Sequence, residues 1–289
     1  MCLRMLFRYL SGKNQSAILS DVFTDVMRIN ISSFAKRNAL AKIFKDRRRS
    51  LDMKKTTAYF TKTELALWLG SVLFIVTAFC LFDRENYLTL IASLIGVTSL
   101  IFAAKGHPVS QVLMIVFSIL YGIISYSFAY YGEMITYLGM TLPMSVVALV
   151  AWLRHPYEGK KSEVQVNRIG KKDVLWAMIL TTVVTVAFYF ILEAFHTANL
   201  LPSTISVTTS FLAVFLTFRR SPYYALAYAA NDIVLIVLWV LASLEDIHYV
   251  SVVICFVVFF ANDMYGFMNW RRMAKRQLEG ERKVNVQKF

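Results

Sequence analysis

Eight long apolar runs, separated by short polar connectors, constrain this sequence more than any other feature. Each run is close to the 20 or so residues that an α-helix needs to cross the roughly 30 Å hydrocarbon core of a bilayer. The chain has 289 residues and only 17% are charged, whereas a soluble domain carries about 25%. The pattern predicts an all-α integral membrane protein whose eight transmembrane helices cover residues 64–82, 87–104, 110–130, 134–153, 173–195, 199–218, 222–244 and 246–270.

Positive charge is confined to alternate connectors. Every Lys and Arg except Arg84 lies in the N-terminal segment, in the connectors after the second, fourth and sixth runs, or beyond the eighth run. Cytoplasmic connectors of membrane proteins are enriched in Lys and Arg. The distribution therefore predicts that both termini lie in the cytoplasm. It also accounts for the net charge of +13 without a nucleic-acid partner.

Residues 87–154 and 199–271 share one organisation. Each begins with an apolar run that contains Ser and Thr, continues through a basic connector ending in Pro108 or Pro222, and closes with Trp152 or Trp270 near arginine. Four runs separate matching elements, so the two units have the same orientation. We predict a parallel 3+3 helix repeat joined by a linker helix, plus one extra N-terminal helix. Parallel repeats occur in transporters, with the site between them; chance similarity of apolar helices is the alternative.

The two ends of the chain lack long apolar runs. Residues 1–52 are basic, and we interpret them as a disordered tail or as a segment ahead of a true start at Met53. A surface helix on anionic lipid is a third interpretation. We expect a transporter domain over residues 53–276 and a cytoplasmic tail over 277–289.

Two acidic residues, Asp232 and Asp263, lie deep inside apolar runs, and each directly follows an asparagine. A charge at the centre of a transmembrane helix costs about 2.5–3.5 kcal/mol on insertion scales, so such residues are candidates for function. Residues three, four or seven positions away share their helix faces. The resulting polar and aromatic seams contain Tyr228, Asn231 and Trp239 on the seventh helix and Asn262, Tyr265, Asn269 and Trp270 on the eighth.

The chemistry of these seams suggests a ligand. Amides and carboxylates bind hydroxyl and amide groups, and aromatic faces bind planar rings, especially cationic ones. We therefore predict a small ligand with a sugar and a heteroaromatic base, and Tyr121 in the third helix is a further candidate. Helix packing is the alternative, because Asn and Asp also join helices and Trp near arginine belongs to the interfacial belt.

The sequence predicts no cofactor, no metal site and no enzymatic activity. The four histidines lie at helix ends or in connectors, and none has a Cys or acid at metal-ligand spacing. The sequence has neither a Gly-x-x-x-x-Gly-Lys-Ser/Thr loop nor a Gly-x-Ser-x-Gly motif.

Two stretches resemble the PnuC-type vitamin transporters: Pro-Tyr-Glu-Gly-Lys-Lys-Ser-Glu-Val at 156–164 and Asn-Asp-Met-Tyr-Gly-Phe-Met-Asn-Trp-Arg at 262–271. The resemblance covers about residues 53–276. It implies a plasma-membrane carrier of nicotinamide riboside, with relatives for other nucleosides, thiamine and riboflavin. It also implies facilitated diffusion by alternating access, trapping of the product by a cytoplasmic riboside kinase, and a homotrimer.

The same resemblance implies site residues. The family uses Trp and Asn side chains on the helix that corresponds to the seventh helix here. Asn231 matches the Asn, whereas Tyr224 and Tyr228 lie near the positions of a frequent Trp-x-x-Trp pair. The predicted substrate-binding residues are Gln111, Tyr121, Tyr224, Tyr228, Asn231, Asp232, Asn262, Asp263, Tyr265, Asn269 and Trp270. The leading hypothesis is nicotinamide riboside; the alternatives are another nucleoside or thiamine, or a proton-coupled pump that uses Asp232 or Asp263.

Overall fold

The computed structural model describes residues 59–127, 131–197 and 199–286. The chain divides into two units, Met1–Lys62 and Thr63–Phe289. In the first unit the described part is residues 59–62, where the rings of Tyr59 and Phe60 meet edge to face with centroids 5.1 Å apart. The predicted extension over residues 1–52 lies outside the described residues. The second unit contains the helix bundle.

Among the described residues, eight helices are long and apolar enough to cross a membrane. This confirms the predicted all-α, eight-helix membrane fold, and most helix ends lie within three residues of the predicted ones. The helices are α1 (Lys62–Phe82), α2 (Tyr87–Ala104), α3 (Val109–Ser127), α4 (Tyr131–Arg154), α5 (Lys171–Ala194), α6 (Leu200–Phe218), α7 (Tyr224–Ser243) and α8 (Val250–Val286).

The helices pack in a reciprocal pattern. In the first half, defined as α2–α4, α3 packs against α2 and α4; in the second half, α6–α8, α7 packs against α6 and α8. Between the halves, α2 packs against α8 and α4 against α6. Helix α5 packs against α6 and leaves most of its surface exposed. Helix α1 contacts the first half through side chains such as Trp68, whose Nε1 donates to Thr98 Oγ1 at 3.2 Å.

Helices α2 and α6 end in the same way. Gly106 and Arg220 both take left-handed backbone conformations, with φ of 67° and 56°. Their N–H groups donate to the carbonyls of Ala103 and Thr217, three residues back, and the next N–H in each case bonds five residues back. These bonds form a Schellman cap, which stops a helix with a left-handed residue. The matched caps, each followed two residues later by proline, support the predicted repeat.

Two tryptophans join the halves at these same helix ends. Trp152 Nε1 in α4 donates to the Thr217 carbonyl at 2.9 Å, and Trp270 Nε1 in α8 donates to the Ala103 carbonyl at 2.7 Å. Both indoles are fully buried, with ring centroids 5.4 Å apart. Each of these carbonyls also accepts the N–H of a cap residue, Gly106 or Arg220, so the indole is a further donor. Each half therefore provides a donor to the first helix of the other half.

A wide turn interrupts α4, which consists of Tyr131–Ile135, a π-helical segment Thr136–Thr141 and Leu142–Arg154. Pro143 has no N–H and cannot make the usual bond to the carbonyl four residues back. The preceding N–H, from Leu142, instead reaches the carbonyl of Tyr137, five residues back. The segment is a difference from the predicted regular helix, and π-helical turns are frequent at functional sites.

The connector between α4 and α5, residues 155–170, forms a strap across the other connectors that carry Lys and Arg. It contains a hairpin in which β1 (Pro156–Tyr157) pairs antiparallel with β2 (Lys160–Val164). The N–H groups of Val164 and Asn167 donate to the carbonyls of Gly106 and Arg220, each at 3.0 Å. The strap therefore contacts the equivalent helix cap of each half.

Helix α8 extends to Val286, well beyond the predicted end at Trp270, so much of the predicted tail over 277–289 is helical. The residues after Trp270 include many Lys, Arg, Gln and Glu, which are good helix formers. Packing adds to this preference, because Gln277 is 4% exposed. Its Oε1 accepts from the Val166 N–H at 2.8 Å and its Nε2 donates to the Val164 carbonyl at 3.1 Å.

Replacing either inter-half tryptophan by phenylalanine should destabilise the protein. Trp152→Phe and Trp270→Phe keep an aromatic ring but remove the indole donor from a buried carbonyl. Because the cap bond to each carbonyl remains, we expect each substitution to lower the free energy of unfolding by about 0.5–1.5 kcal/mol, measured as a lower melting temperature in detergent. Trp176→Phe is the matched control, since Trp176 on α5 is 58% exposed. Equal melting temperatures for the three variants and the parent would contradict this role.

Gln277→Ala should loosen the strap. The substitution leaves the Val166 N–H and the Val164 carbonyl without their side-chain partner, and we expect a loss of about 1–3 kcal/mol in stability. Limited proteolysis at the hairpin should become faster. Glu279→Ala, an exposed position on the same helix, serves as the control. An unchanged cleavage rate for Gln277→Ala would show that the strap is held by other contacts.

Candidate functional site

The polar residues of α7 and α8 lie between two apolar clusters. We call the helix ends near the connectors 83–86 and 244–246 the acidic end, and those near 105–108 and 219–223 the basic end. The cluster on the acidic side includes Phe117, Tyr121, Leu235, Trp239 and Phe256. The cluster on the basic side includes Val207, Phe211, Tyr224, Ala227 and Trp270. Along α7, Asp232 therefore lies between Ala227 of one cluster and Leu235 of the other.

A narrow cavity of about 30 Å³ lies at mid-depth between the halves. All six helices of the two halves contribute to its lining. A volume of this size corresponds to about two water molecules. A larger ligand can therefore enter only if the two halves separate. The lining residues are Gly96, Leu100, Met114, Phe117, Tyr137, Thr141, Ser210, Tyr228, Asn231, Asp232, Phe256, Phe259 and Asp263.

Asp232 on α7 and Asp263 on the neighbouring helix α8 both line this cavity. Each is 4% exposed, and their carboxyl groups are close enough to interact directly. Oδ2 of Asp232 has no hydrogen-bond partner among the described residues. Two neighbouring carboxylates repel each other unless a proton or a cation lies between them. The pair can therefore hold a shared proton or a cation between its carboxyl groups.

Asn231 is held in place by three hydroxyl groups of α6. Its Oδ1 accepts hydrogen bonds from Ser206 at 3.3 Å, Thr209 at 2.8 Å and Ser210 at 3.0 Å. No described residue accepts a hydrogen bond from its Nδ2. Because the amide oxygen is already occupied, the amide N–H groups are the part of Asn231 that can donate to a ligand in the cavity.

Aromatic rings form much of the remaining lining. Phe259 on α8 packs directly against α2 at Gly96, where a Cβ atom would lie 2.4 Å from Phe259 Cζ. Glycine at this position therefore allows the ring to lie between the helices. Phe117 stands next to Phe259, with ring centroids 5.8 Å apart. Ring faces beside two carboxyl groups suit a flat, positively charged ligand.

Aromatic layers close the cavity on both sides. Toward the acidic end, Trp239 Nε1 donates to the Tyr121 hydroxyl at 2.9 Å, and the Tyr121 and Tyr137 rings lie 4.4 Å apart. We call this the Tyr121–Trp239 layer. Toward the basic end, the Trp152–Trp270 layer includes Tyr224, whose ring lies 4.9 Å from that of Trp270. Buried aromatic rings therefore lie on both sides of the cavity.

Seven of the eleven predicted site residues fall into three groups. Tyr228, Asn231, Asp232 and Asp263 line the cavity together. Tyr121 belongs to the layer on the acidic side, and Tyr224 and Trp270 belong to the layer on the basic side. These seven residues thus lie in or next to one closed compartment.

The other four predicted residues contact neighbouring segments and do not line the cavity. Asn262 Nδ2 donates to Ser71 of α1 at 2.8 Å, and the Tyr265 hydroxyl donates to Glu64 of α1 at 3.2 Å. Asn269 Nδ2 donates to the carbonyl that ends α2 at 2.7 Å. Gln111 Nε2 contacts the adjacent Ser110 hydroxyl at 3.4 Å. Their role in binding stays a prediction.

Sequence reasoning missed the hydroxyl groups of α6 as part of the site. Ser206, Thr209 and Ser210 recur at helical spacing in an apolar run, a signal that could have identified them as the partners of Asn231. The burial of Glu133 was not predicted either: it lies in the first turn of α4 and is 2% exposed. Glu64, which pairs with Lys105 at 3.0 Å, is buried as well.

The chain is similar to known transporter proteins. Residues 86–272 match the model of a family described as nicotinamide mononucleotide transporter. The nicotinamide riboside transporter PnuC of Neisseria mucosa is 26% identical over 216 residues, which cover 73% of this chain and 82% of that protein. The nicotinamide riboside transporter PnuC of Haemophilus influenzae is 21% identical over 213 residues, 73% of this chain and 90% of that protein.

A solved structure has the same fold. The crystal structure of the vitamin B3 transporter PnuC superposes with a TM-score of 0.66 at 22% identity and covers 75% of this chain and 94% of that one. The family match extends over more than half of the chain, and the predicted resemblance is confirmed. The chain is a multi-pass membrane protein that belongs to the PnuC family of transporters.

Proposed function

We propose that this protein carries nicotinamide riboside across the plasma membrane by facilitated diffusion. The observation that carries the proposal is the mid-depth cavity, in which Asp232 and Asp263 lie beside aromatic rings. The described lining contains no Lys or Arg. The names of the curated relatives support the same substrate.

The chemistry of nicotinamide riboside matches the lining in three ways. Its pyridinium ring is flat and positively charged, so it pairs with the carboxyl groups and packs against rings such as Phe259. Its ribose hydroxyls accept hydrogen bonds, which the Nδ2 group of Asn231 supplies. Without the cation, the two carboxyl groups must share a proton or repel each other, so a cationic ligand stabilises the loaded cavity.

The same lining disfavours nicotinamide mononucleotide, the compound in the family description. Its phosphate adds about two negative charges at neutral pH. A buried charge is stable only when it is paired, and the described lining offers carboxyl groups where a phosphate needs cations. We therefore expect the riboside to pass and the mononucleotide to be rejected.

Alternating access accounts for how the closed cavity loads and unloads. Opening of the Tyr121–Trp239 layer would admit substrate from the acidic end, and opening of the Trp152–Trp270 layer would release it at the basic end. The equivalent caps, prolines and tryptophans support a parallel 3+3 repeat in which the halves move as bodies. Each opening breaks the hydrogen bonds of one layer while the other layer stays closed.

The proposal includes the orientation of the protein in the membrane and the trapping of the transported riboside inside the cell. The excess of Lys and Arg at the basic end supports N- and C-termini in the cytoplasm. Released riboside would be phosphorylated by a cytoplasmic riboside kinase, and the product, which the cavity rejects, would stay inside. The family resemblance further supports a homotrimer.

Proteoliposomes that contain the purified protein should take up labelled nicotinamide riboside down its own gradient. Excess unlabelled riboside should compete, whereas the mononucleotide should neither compete nor enter. Collapse of the pH gradient should leave the rate unchanged, because facilitated diffusion depends only on the gradient of the substrate. Liposomes without protein are the control.

Two results would contradict the proposal in different ways. Uptake of the mononucleotide at a comparable rate would refute the argument from the missing basic residues. Uptake that stops when the pH gradient is collapsed would favour the proton-coupled alternative, in which Asp232 or Asp263 carries the proton. Competition by thiamine or by other nucleosides would widen the substrate class without changing the site.

Asp232→Asn should weaken binding of the cationic riboside more than binding of a neutral analogue. The reduced riboside has a neutral ring of similar shape, so it tests charge recognition alone. We expect the dissociation constant for the cationic form to rise by about tenfold or more, equivalent to about 1.4 kcal/mol, with little change for the reduced form. Asp246→Asn, at an exposed position in the acidic end, is the control. Equal loss for both forms would indicate a packing role.

A further inference from the structure

Glu133 is a buried acid outside the central cavity. It is the third residue of α4, close to the acidic end, yet it is 2% exposed. Among the described residues, no Lys or Arg forms an ion pair with Glu133. The acids that pair with Lys or Arg include Glu64, Asp173 and Glu163. A carboxyl group in this setting is unusual, because buried acids are generally paired with a cation.

The contacts of Glu133 connect it to the cavity. One carboxyl oxygen lies within hydrogen-bonding reach of Ser206, and the same hydroxyl reaches Asn231 Oδ1 at 3.3 Å. Ser206 has a single proton and cannot donate to both at once. When it turns to Glu133, Thr209 and Ser210 still hold Asn231. Glu133 can therefore accept a hydrogen bond without disturbing the central site.

The second oxygen of Glu133, Oε2, has no hydrogen-bond partner among the described residues. A further buried group without a partner lies close by: Thr197 Oγ1, which packs against Gly132, the residue before Glu133. Unsatisfied buried polar atoms are rare in native structures and call for an explanation. Here an acid and a hydroxyl are both unsatisfied on the acidic side of the bundle.

Glu133 also lies next to the layer that closes the cavity on this side. Its carboxyl interacts electrostatically with Tyr121 and Tyr137. Tyr137 follows Glu133 by four residues, one turn along α4, and lines the central cavity. Along α4, Glu133 therefore lies between the acidic end and Tyr137, next to the Tyr121–Trp239 layer.

We propose that Glu133 forms a second, outer binding position for the positively charged ring of the substrate, which holds the ring at the Tyr121–Trp239 layer before transfer to the central acid pair. The inference rests on the proposed function, since it takes a cationic nucleoside as the cargo. It makes Glu133 a specificity-determining residue that selects for positive charge at entry.

Glu133→Gln tests this, because glutamine keeps the shape of the side chain and removes its charge. In proteoliposomes, the concentration of nicotinamide riboside that gives half-maximal uptake should rise by about tenfold, as expected when a charged contact is lost. The neutral reduced riboside should change by less than about twofold. Glu193→Gln is the matched control, since Glu193 is an exposed acid on the same side of the bundle.

Several outcomes would overturn the inference. An equal loss for the cationic and neutral ribosides would make Glu133 a packing residue. Unchanged uptake of both ribosides would show that the cationic ring does not bind at Glu133. A new dependence of uptake on the pH gradient would indicate that Glu133 carries a proton instead. If Glu133→Gln fails to fold, Glu133→Asp provides the second test. This variant keeps the negative charge, so it should still prefer the cationic riboside to the reduced one, with weaker uptake than the parent protein. If the parent protein takes up no riboside at all, the proposed function fails instead.

Discussion

Two carboxyl groups held at mid-depth in an apolar helix bundle determine much of this structure. Asp232 and Asp263 lie where no solvent stabilises charge, so the surrounding residues must make their burial tolerable. Hydroxyl groups of α6 fix the adjacent Asn231, and apolar clusters above and below exclude lipid and water. The acid pair lies at the contact between the halves, where relative motion of the helices changes its surroundings most.

The closing layers show how a tightly packed bundle can still move. Trp152 and Trp270 bond to carbonyls in the last turns of α6 and α2, and the caps at Gly106 and Arg220 use those same carbonyls. Because the caps keep each carbonyl partly satisfied, separating the halves breaks the tryptophan bonds without leaving the carbonyl wholly unpaired. The strap crosses both caps and adds a restraint at the basic end, so opening there must also move the strap.

Hydrophobic periodicity and charge predicted the eight helices and four of the cavity residues. This worked because a long apolar segment in a bilayer must satisfy its backbone hydrogen bonds internally, which a helix does. They did not predict contacts that depend on how the helices face one another. Asn262 and Asn231 have the same local sequence pattern, yet one bonds to α1 and the other lines the cavity. The π-helical turn at Tyr137 and the burial of Glu133 arise from the local geometry around Pro143 and from packing, neither of which spacing alone reveals.

The most direct measurement is a structure of the protein with nicotinamide riboside bound. We expect a widened cavity with the pyridinium ring between Asp232 and Asp263, a ring face against Phe259, and the ribose within hydrogen-bonding distance of Asn231 Nδ2. A riboside bound away from these side chains, with the two carboxyl groups still in mutual contact, would contradict it.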